Sequence, residues 1–144
     1  MVIDNTVITV ILSGEQHNML ITDVIESFAV NGRDFVVSSR DGSKICESYV
    51  ASTRSSTSHD FVYIHCDDEA PLLITPDHKI YVPCKKEWIK ASDITTSCNV
   101  LQPNNKSKKI IDVHTVSDQS ASKVHALVVT TSSYFANNIL ISNN

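Results

Sequence analysis

The chain has 144 residues, of which 42% are hydrophobic and 19% charged, a balance typical of one globular domain rather than of a disordered segment. The net charge of −4, with no basic run beyond Lys108-Lys109, argues against a nucleic-acid-binding surface. The apolar runs are too short to span a membrane, and the opening residues lack both the basic and the apolar part of a signal peptide.

The four cysteines are single and widely spaced, without a CxxC pair. This pattern argues against a zinc site, and lone thiols are typical of a reducing compartment rather than of a disulfide scaffold. We therefore expect a cytoplasmic protein that uses no metal ion and no other cofactor.

Short β-forming runs recur along the chain, with turn residues between them. Asp41-Gly42, between two such runs, is a strong hairpin signal. Apolar residues have helical spacing only from Ile21 to Phe28, and Ala91 to Ile94 is predicted to form one turn. The predicted strands, in chain order, are 6–11, 35–39, 61–65, 72–75, 80–82, 110–113, 124–130 and 139–141.

This order of elements predicts an all-β domain and excludes the alternating strands and helices of nucleotide-binding sheets. The sequence also has no glycine-rich phosphate loop and no GxSxG motif. The stretch 102–109 is polar and is predicted to be a linker. It divides the single domain, residues 1–144, into an N-terminal part of about 1–103 and a C-terminal part of about 110–144.

Thr75 and His78 lie in a short turn between two apolar runs. Pro76 ends the first strand because it has no N–H to donate, and the turn then directs the imidazole of His78 back over the strand end. A histidine near neutral pH can bind the nitrogen of a scissile amide and protonate the leaving amine. Thr75 can donate to the oxygen on which negative charge develops. On its own, a Thr-Pro-Asp-His segment is also typical of an ordinary turn.

The C-terminal residues form two apolar runs around the turn Asn137-Asn138, and asparagine tolerates positive φ better than most residues. The chain then ends in Ser142-Asn143-Asn144. The side-chain amide nitrogen of Asn143 can attack its own carbonyl carbon, close a succinimide and break the chain after it. On its own, an Asn-Asn ending is also typical of a frayed terminus.

Taken in order, these segments resemble the segments that define inteins, from the first residue to the last. The opening, Met1 to Ile8, is similar to the intein start, in which Cys or Ser precedes a polar-Asp-Thr motif and a strand. Thr75-Pro76-Asp77-His78 is similar to the family's Thr-x-x-His motif. Val124 to Asn138 resembles V-Y-D-L-x-V…H-N-F-x-A-N-G, and Ile139 to Asn143 resembles the ending of an apolar strand followed by His-Asn.

The resemblance implies a compact, horseshoe-like Hint (hedgehog/intein) fold of many short antiparallel strands with one or two short helices. It implies autocatalytic protein splicing, a single-turnover reaction in which residue 1 attacks the preceding carbonyl and the first downstream residue, at the position of Asn144, takes over the acyl group. Thr75 and His78 would activate the first step. Asn143 would then cyclise, next to Ser142 in place of the usual histidine, and a final acyl shift would restore the peptide bond.

The resemblance also implies that the partners are flanking extein segments of a host protein. The stretch 102–109 is too short for a homing endonuclease, as in a mini-intein, and it is where split inteins are divided, so a complementary fragment of the chain itself is a second expected partner. We expect a monomer that binds neither nucleic acid nor membranes.

The sequence departs from the intein pattern at further positions besides Ser142. Met1 has a thioether and Asn144 an amide where the family has nucleophiles, whereas Ala126 and Ser132 stand where it has Asp and often His. These departures predict a splicing-silent form of an active element. Two alternatives stay open: a hedgehog-type autoprocessing domain, which has no use for Asn143, and a non-catalytic β-rich interaction module.

Overall fold

The computed structural model describes residues 1–32 and 35–143, and the strands in these ranges join one antiparallel sheet. One helix, α1 (Ile21–Asn31), and one turn of 3₁₀ helix (Ala91–Asp93) accompany them in the same ranges. The all-β prediction is confirmed. The strands are β1 (Val2–Ile3), β2 (Val7–Leu12), β3 (Glu15–Leu20), β4 (Val36–Asp41), β5 (Lys44–Cys66), β6 (Leu72–Ile74), β7 (Lys79–Val82), β8 (Glu87–Lys90), β9 (Asn99–Leu101), β10 (Ser107–Val129), β11 (Ser133–Ala136) and β12 (Ile139–Ser142).

The sheet has the strand order β8-β7-β12-β11-β2-β4-β5-β6-β1-β10-β9, with β3 beside β2. Because β5 and β10 also pair with each other, the strands β5, β6, β1 and β10 form a closed ring of pairings. The short strand β1 is therefore paired on both sides: Val2 lies opposite Ile74 of β6 and opposite His125 of β10. The first residues of the chain are thus held inside the sheet.

Strands β5 and β10 are far longer than the sequence predicts, since each runs for 23 residues. The predicted strands 61–65, 110–113 and 124–130 are only parts of them. The remainder is rich in serine and threonine and exposed on most of its side chains, so it lacks the apolar alternation that marks a half-buried strand. Instead, backbone pairing between β5 and β10, interrupted by bulges, forms a long two-stranded ribbon.

Two other predicted boundaries are corrected. In the predicted linker, residues 102–106 form a turn, but Ser107–Lys109 begin β10 and pair with Asn99–Leu101, because a short polar run can still complete a backbone ladder. The helix extends beyond Phe28 to Asn31. It ends at Gly32, whose φ of 61° is readily adopted by glycine and whose N–H caps the carbonyl of Phe28.

The core joins apolar residues from both ends of the chain. Ile8 near the start and Ile141 near the end are both fully buried in one cluster with Ile80. Burying a side chain of this size contributes roughly 1.5–3 kcal/mol, so both ends of the chain are anchored by the core. Over the described ranges, no helix has the length and the apolar character needed to span a membrane.

Candidate active site

The loop that contains Thr75 and His78 lies beside both ends of the chain, and the sheet order explains why. The loop leaves β6, which pairs with β1 through Ile74 and Val2. It enters β7, which pairs with β12 through Ile80 and Ile141. Since β1 is the first strand and β12 the last described one, a single short loop lies beside the first and the last described strands.

Backbone hydrogen bonds hold this loop in one conformation. The N–H of His78 donates to the carbonyl of Thr75 at 3.1 Å and closes the turn around Pro76. From the outer side, the N–H of Ala91 donates to the carbonyl of His78 at 2.8 Å, and the N–H of Ser92 donates to the carbonyl of Pro76 at 3.0 Å. The side chain of His78 is therefore fixed in a buried position, with 2% of the residue exposed.

The imidazole of His78 bridges the first residue and the end of β12. Its Nε2 lies 2.5 Å from the carbonyl oxygen of Ser142, and its Nδ1 contacts the nitrogen of Met1. Because a carbonyl oxygen only accepts hydrogen bonds, Nε2 carries the proton and the lone pair of Nδ1 faces Met1. The nitrogen of Met1 also donates to the hydroxyl of Thr75 at 2.8 Å, and the N–H of Thr75 donates to the carbonyl of Met1 at 2.8 Å.

Burial keeps this pair of groups uncharged at neutral pH. Burial, followed by the positive charge of the N-terminus, lowers the pKa of His78 to about 3, and Arg54 adds to the shift whereas the carbonyl of Ser142 opposes it. Burial, followed by the charge of Arg54, lowers the pKa of the Met1 amine to about 5. The lone pair of Nδ1 faces the amine nitrogen, so a proton that the imidazole takes up there can pass to that nitrogen, as the acid–base partner of a leaving amine requires.

Asn143 is held by backbone groups around its side chain. Its Nδ2 donates to the carbonyl of Val129, and its Oδ1 accepts from the N–H of Val129, both at 3.1 Å. The N–H of Asn143 donates to the carbonyl of Ser132 at 3.0 Å. Its own carbonyl oxygen accepts from Nη2 of Arg54 at 3.0 Å. The carbonyl that the predicted cyclisation would attack is thus already bound to a cation.

The chain matches no protein-family model and no curated protein. Among solved structures, it is similar to a bacterial intein-like domain from Clostridium thermocellum, with a TM-score of 0.77, 15% identity, and 98% of this chain and 96% of that chain covered. It is also similar to a DnaB intein from Synechocystis sp. PCC 6803 (0.76, 12%, 98% and 96%) and to the Mvu mini-intein of transcription factor IIB (0.77, 15%, 99% and 99%). The chain has the intein fold. This confirms the predicted Hint architecture, and the match runs through the whole chain without an inserted domain.

Within the intein fold, most of the residues singled out by the sequence meet at one small cavity of about 210 Å³. It is lined by Met1, Arg54, Thr75, Asp77, His78, Ala126 and Asn143. Ser142 contacts the same imidazole through its carbonyl. Ser132 lies on the other side of Asn143, in a larger cleft of about 680 Å³ that Ser142 and Asn143 also line. Asn144 lies outside the described residues.

The turn predicted at Asn137-Asn138 has the expected backbone. Both residues have positive φ, 46° and 62°. The Oδ1 of Asn137 accepts from the backbone N–H of Val7 at 2.8 Å, and the backbone N–H of Asn137 donates to the carbonyl of Val7 at 2.7 Å. The turn therefore connects β12 and β11 to β2, which helps to align the last strand with the loop at His78.

Sequence reasoning missed two features near the junctions. Arg54 lies in the polar part of β5, outside every motif, and only the pairing of Arg54 with Ala126 brings it to the cavity.

The second feature is the set of contacts made by His125. It binds Ser55 through Nδ1 at 2.7 Å and Asp4 through Nε2 at 2.5 Å. Those three residue types also make hydrolytic triads, but Ser55 and Asp4 are exposed here, so the arrangement fastens the chain after β1 to the ribbon.

Nowhere among the described residues do three His, Cys, Asp or Glu side chains converge in a way that could hold a metal ion. The four cysteines are unpaired, and burial raises the pKa of the Cys66 thiol to about 11. A thiol in that state is a poor nucleophile. None of the four lines the cavity around His78, whose polar side chains are those of Arg54, Thr75, Asp77, His78 and Asn143.

Proposed function

We propose that the chain is an autocatalytic protein-splicing domain, which excises itself from a host precursor and joins the flanking segments. The observation that carries this proposal is the bridging of Met1 and Ser142 by the single imidazole of His78. Splicing requires bond exchange between two junctions that are far apart in sequence. Groups held in contact react as if at very high concentration, so a shared site at both ends of the chain suits this reaction.

In the first step, a thiol or hydroxyl at position 1 attacks the carbonyl carbon of the preceding residue, and the C–N bond to residue 1 breaks. The nucleophile loses a proton and the leaving nitrogen gains one, and His78 can carry that proton through Nδ1. In the precursor the nitrogen is an uncharged amide, which removes the second cause of the low pKa of His78. The imidazole is therefore more easily protonated before cleavage than after it.

In the later steps, the side chain of residue 144 takes over the acyl group, and Asn143 cyclises. The Nδ2 of Asn143 forms a bond to its own carbonyl carbon, the bond to residue 144 breaks, and the freed nitrogen takes the proton that Nδ2 loses. The ester between the flanks then rearranges to an amide. The carbonyl of Ser142, bound to His78, keeps this junction beside the first one. A hedgehog-type domain would make no use of Asn143 in this position.

The chain as it stands lacks the two acyl carriers. The thioether of Met1 and the amide of Asn144 cannot form an ester, and Ala126, Ser132 and Ser142 provide no carboxylate or imidazole. We propose that Met1 and Asn144 replace the nucleophiles of an active element. Of the splicing steps, this chain can then carry out only the cyclisation of Asn143. The proposed partners are the flanking segments and, if the chain is divided near residues 102–109, its own complementary fragment; the working unit is a monomer.

The test restores the nucleophiles. A chain with Met1→Cys and Asn144→Cys, placed between two reporter proteins, should yield ligated reporters and a free fragment of residues 1–143. Adding His78→Ala should slow cleavage at the first junction about 100-fold or more, as expected for the loss of an acid–base group. The matched control is His17→Ala, since His17 is an exposed histidine on β3. If the restored chain ligates no reporters, the proposal is wrong. If both histidine variants splice at the same rate, His78 takes no part in the reaction.

A further inference from the structure

Arg54 is placed at the second junction by the ribbon. It lies on β5 directly opposite Ala126 of β10, and a side chain as small as alanine leaves room over that position. From there, Nη2 of Arg54 donates to the carbonyl oxygen of Asn143 at 3.0 Å. Asn143 is the residue whose carbonyl carbon is attacked during cyclisation, so the guanidinium contacts a reacting group.

We propose that Arg54 is a catalytic residue for the cyclisation of Asn143, in which its guanidinium stabilises the negative charge that develops on the carbonyl oxygen. The inference rests on the proposed splicing function and adds a residue to it. When Nδ2 attacks, the electron pair of the C=O bond moves onto the oxygen that Arg54 binds. The intermediate then expels the nitrogen of residue 144, which takes up the proton lost by Nδ2, and the carbonyl re-forms within the succinimide.

A guanidinium suits this task because it stays charged at every relevant pH and its N–H donors are fixed in one plane. A charged donor to a developing oxyanion strengthens as the charge grows, so it lowers the barrier more than it stabilises the resting state. The carboxylate and the imidazole that the intein pattern supplies near this junction are replaced by Ala126 and Ser132. Arg54 provides an electrostatic contribution that neither of these replacements can make.

The charge of Arg54 also acts across the rest of the cavity. After burial, which is the larger cause, it lowers the pKa of the Met1 amine, and after burial and the charge of the N-terminus it also lowers the pKa of His78. Among the residues that line the cavity, Arg54 is the one whose side chain is a permanent cation. Its field therefore favours anionic species at the junctions, including the oxyanion of the cyclisation step.

The hydrogen bonds of the Asn143 side chain indicate which part of the cyclisation should depend on Arg54. Both side-chain atoms of its amide are engaged with Val129, so Nδ2 must leave the carbonyl of Val129 before it attacks. The hydrogen bond from Nη2 of Arg54 goes to the backbone carbonyl oxygen of Asn143 rather than to its side-chain amide. Loss of Arg54 should therefore slow cyclisation without releasing the side chain of Asn143.

The test isolates cyclisation by keeping Met1, which blocks the first junction, and by fusing a reporter after residue 144. The reporter should be released by the reference chain and not by the Asn143→Ala variant. Arg54→Met should slow the release about tenfold or more, as for the loss of an oxyanion donor, and Arg54→Lys should give an intermediate rate. Lys123→Met is the matched control: Lys123 is an exposed cation on the same ribbon, opposite Thr57, and its loss should leave the rate unchanged.

A second measurement separates a catalytic role from a structural one. In a chain with Met1→Cys, cleavage at the first junction by an added thiol should change much less in the Arg54→Met variant than the release of the reporter does. Equal slowing at both junctions would mean that Arg54 only supports the fold, and equal release by Arg54→Met and the reference would also overturn its role. If the reference chain released no reporter at all, the proposed cyclisation of Asn143 would be wrong. The proposed splicing function would then be wrong as well.

Discussion

At the scale of single residues, His78 has two neighbours that fix its protonation. The carbonyl of Ser142 requires a proton on Nε2, so Nδ1 is left with the lone pair that faces the nitrogen of Met1. Burial is the main reason that the pKa of His78 falls to about 3. The same burial makes the protonation of this imidazole costly for the fold.

This environment predicts how stability depends on pH. The folded-state pKa of the Met1 amine falls from 8.0 to about 5 and that of His78 from 6.5 to about 3, so the unfolded chain binds more protons than the folded chain between these limits. The free energy of unfolding should therefore decrease as the pH is lowered from 8, and the contribution of His78 should be lost from pH 6.5 downward. Urea unfolding over a series of pH values measures this decrease.

A non-titrating variant assigns the effect to His78. His78→Gln cannot take up a proton, so the difference in unfolding free energy between the original chain and this variant should shrink as the pH falls below 6.5. The exposed His17 serves as the control, and the corresponding difference for His17→Gln should stay nearly constant. A difference for His78→Gln that did not vary with pH would contradict a buried, neutral imidazole.

At the scale of elements, the sequence predicts strands that contain a run of apolar residues and misses the polar, exposed parts of β5 and β10. Strand β7 alternates buried and partly exposed residues, which is the pattern of a half-buried strand, and it was predicted almost to its limits. The polar half of β5 has no such pattern, because both of its faces are largely exposed and its stability comes from pairing with β10. Arg54 lies in that half, so its role could not be read from any motif.

The hairpin between β9 and β10 carries a further prediction, because it lies where the chain would be divided. Glu69 accepts from Gln102 at 3.1 Å and from Asn138 at 2.8 Å, and it lies 3.5 Å from Nζ of Lys108. Fragments 1–104 and 105–144 would divide these partners, with Glu69 on one side and Lys108 and Asn138 on the other. The two fragments should therefore associate and regain β structure on mixing.

The contribution of Glu69 can be measured in the same experiment. Glu69→Ala should weaken the association about fivefold to tenfold, in line with the loss of one partly buried ion pair and its hydrogen bonds. Glu26→Ala, on the exposed face of α1, is the control and should have no effect. Titration calorimetry gives both dissociation constants. Fragments that did not bind at micromolar concentration would contradict the division at this turn.

At the scale of the whole molecule, the strand order explains how both ends of the chain reach one imidazole. The motifs predict which residues belong to the site, but nothing in their spacing shows that β1 pairs with β6 and that β12 pairs with β7. Those pairings depend on contacts between residues more than sixty positions apart. They bring Met1 and Ser142 to the same imidazole, that of His78.

The mass of the excised fragment tests the splicing account most directly. After splicing of the chain with Met1→Cys and Asn144→Cys, the fragment of residues 1–143 should appear together with the ligated reporters. It should be one water molecule lighter than the same fragment with a free carboxylate, because Asn143 leaves as a succinimide, and it should gain that water on standing. A fragment that carried a free carboxylate from its first appearance, or reporters that were cut but never joined, would show hydrolysis instead of splicing and would contradict the account.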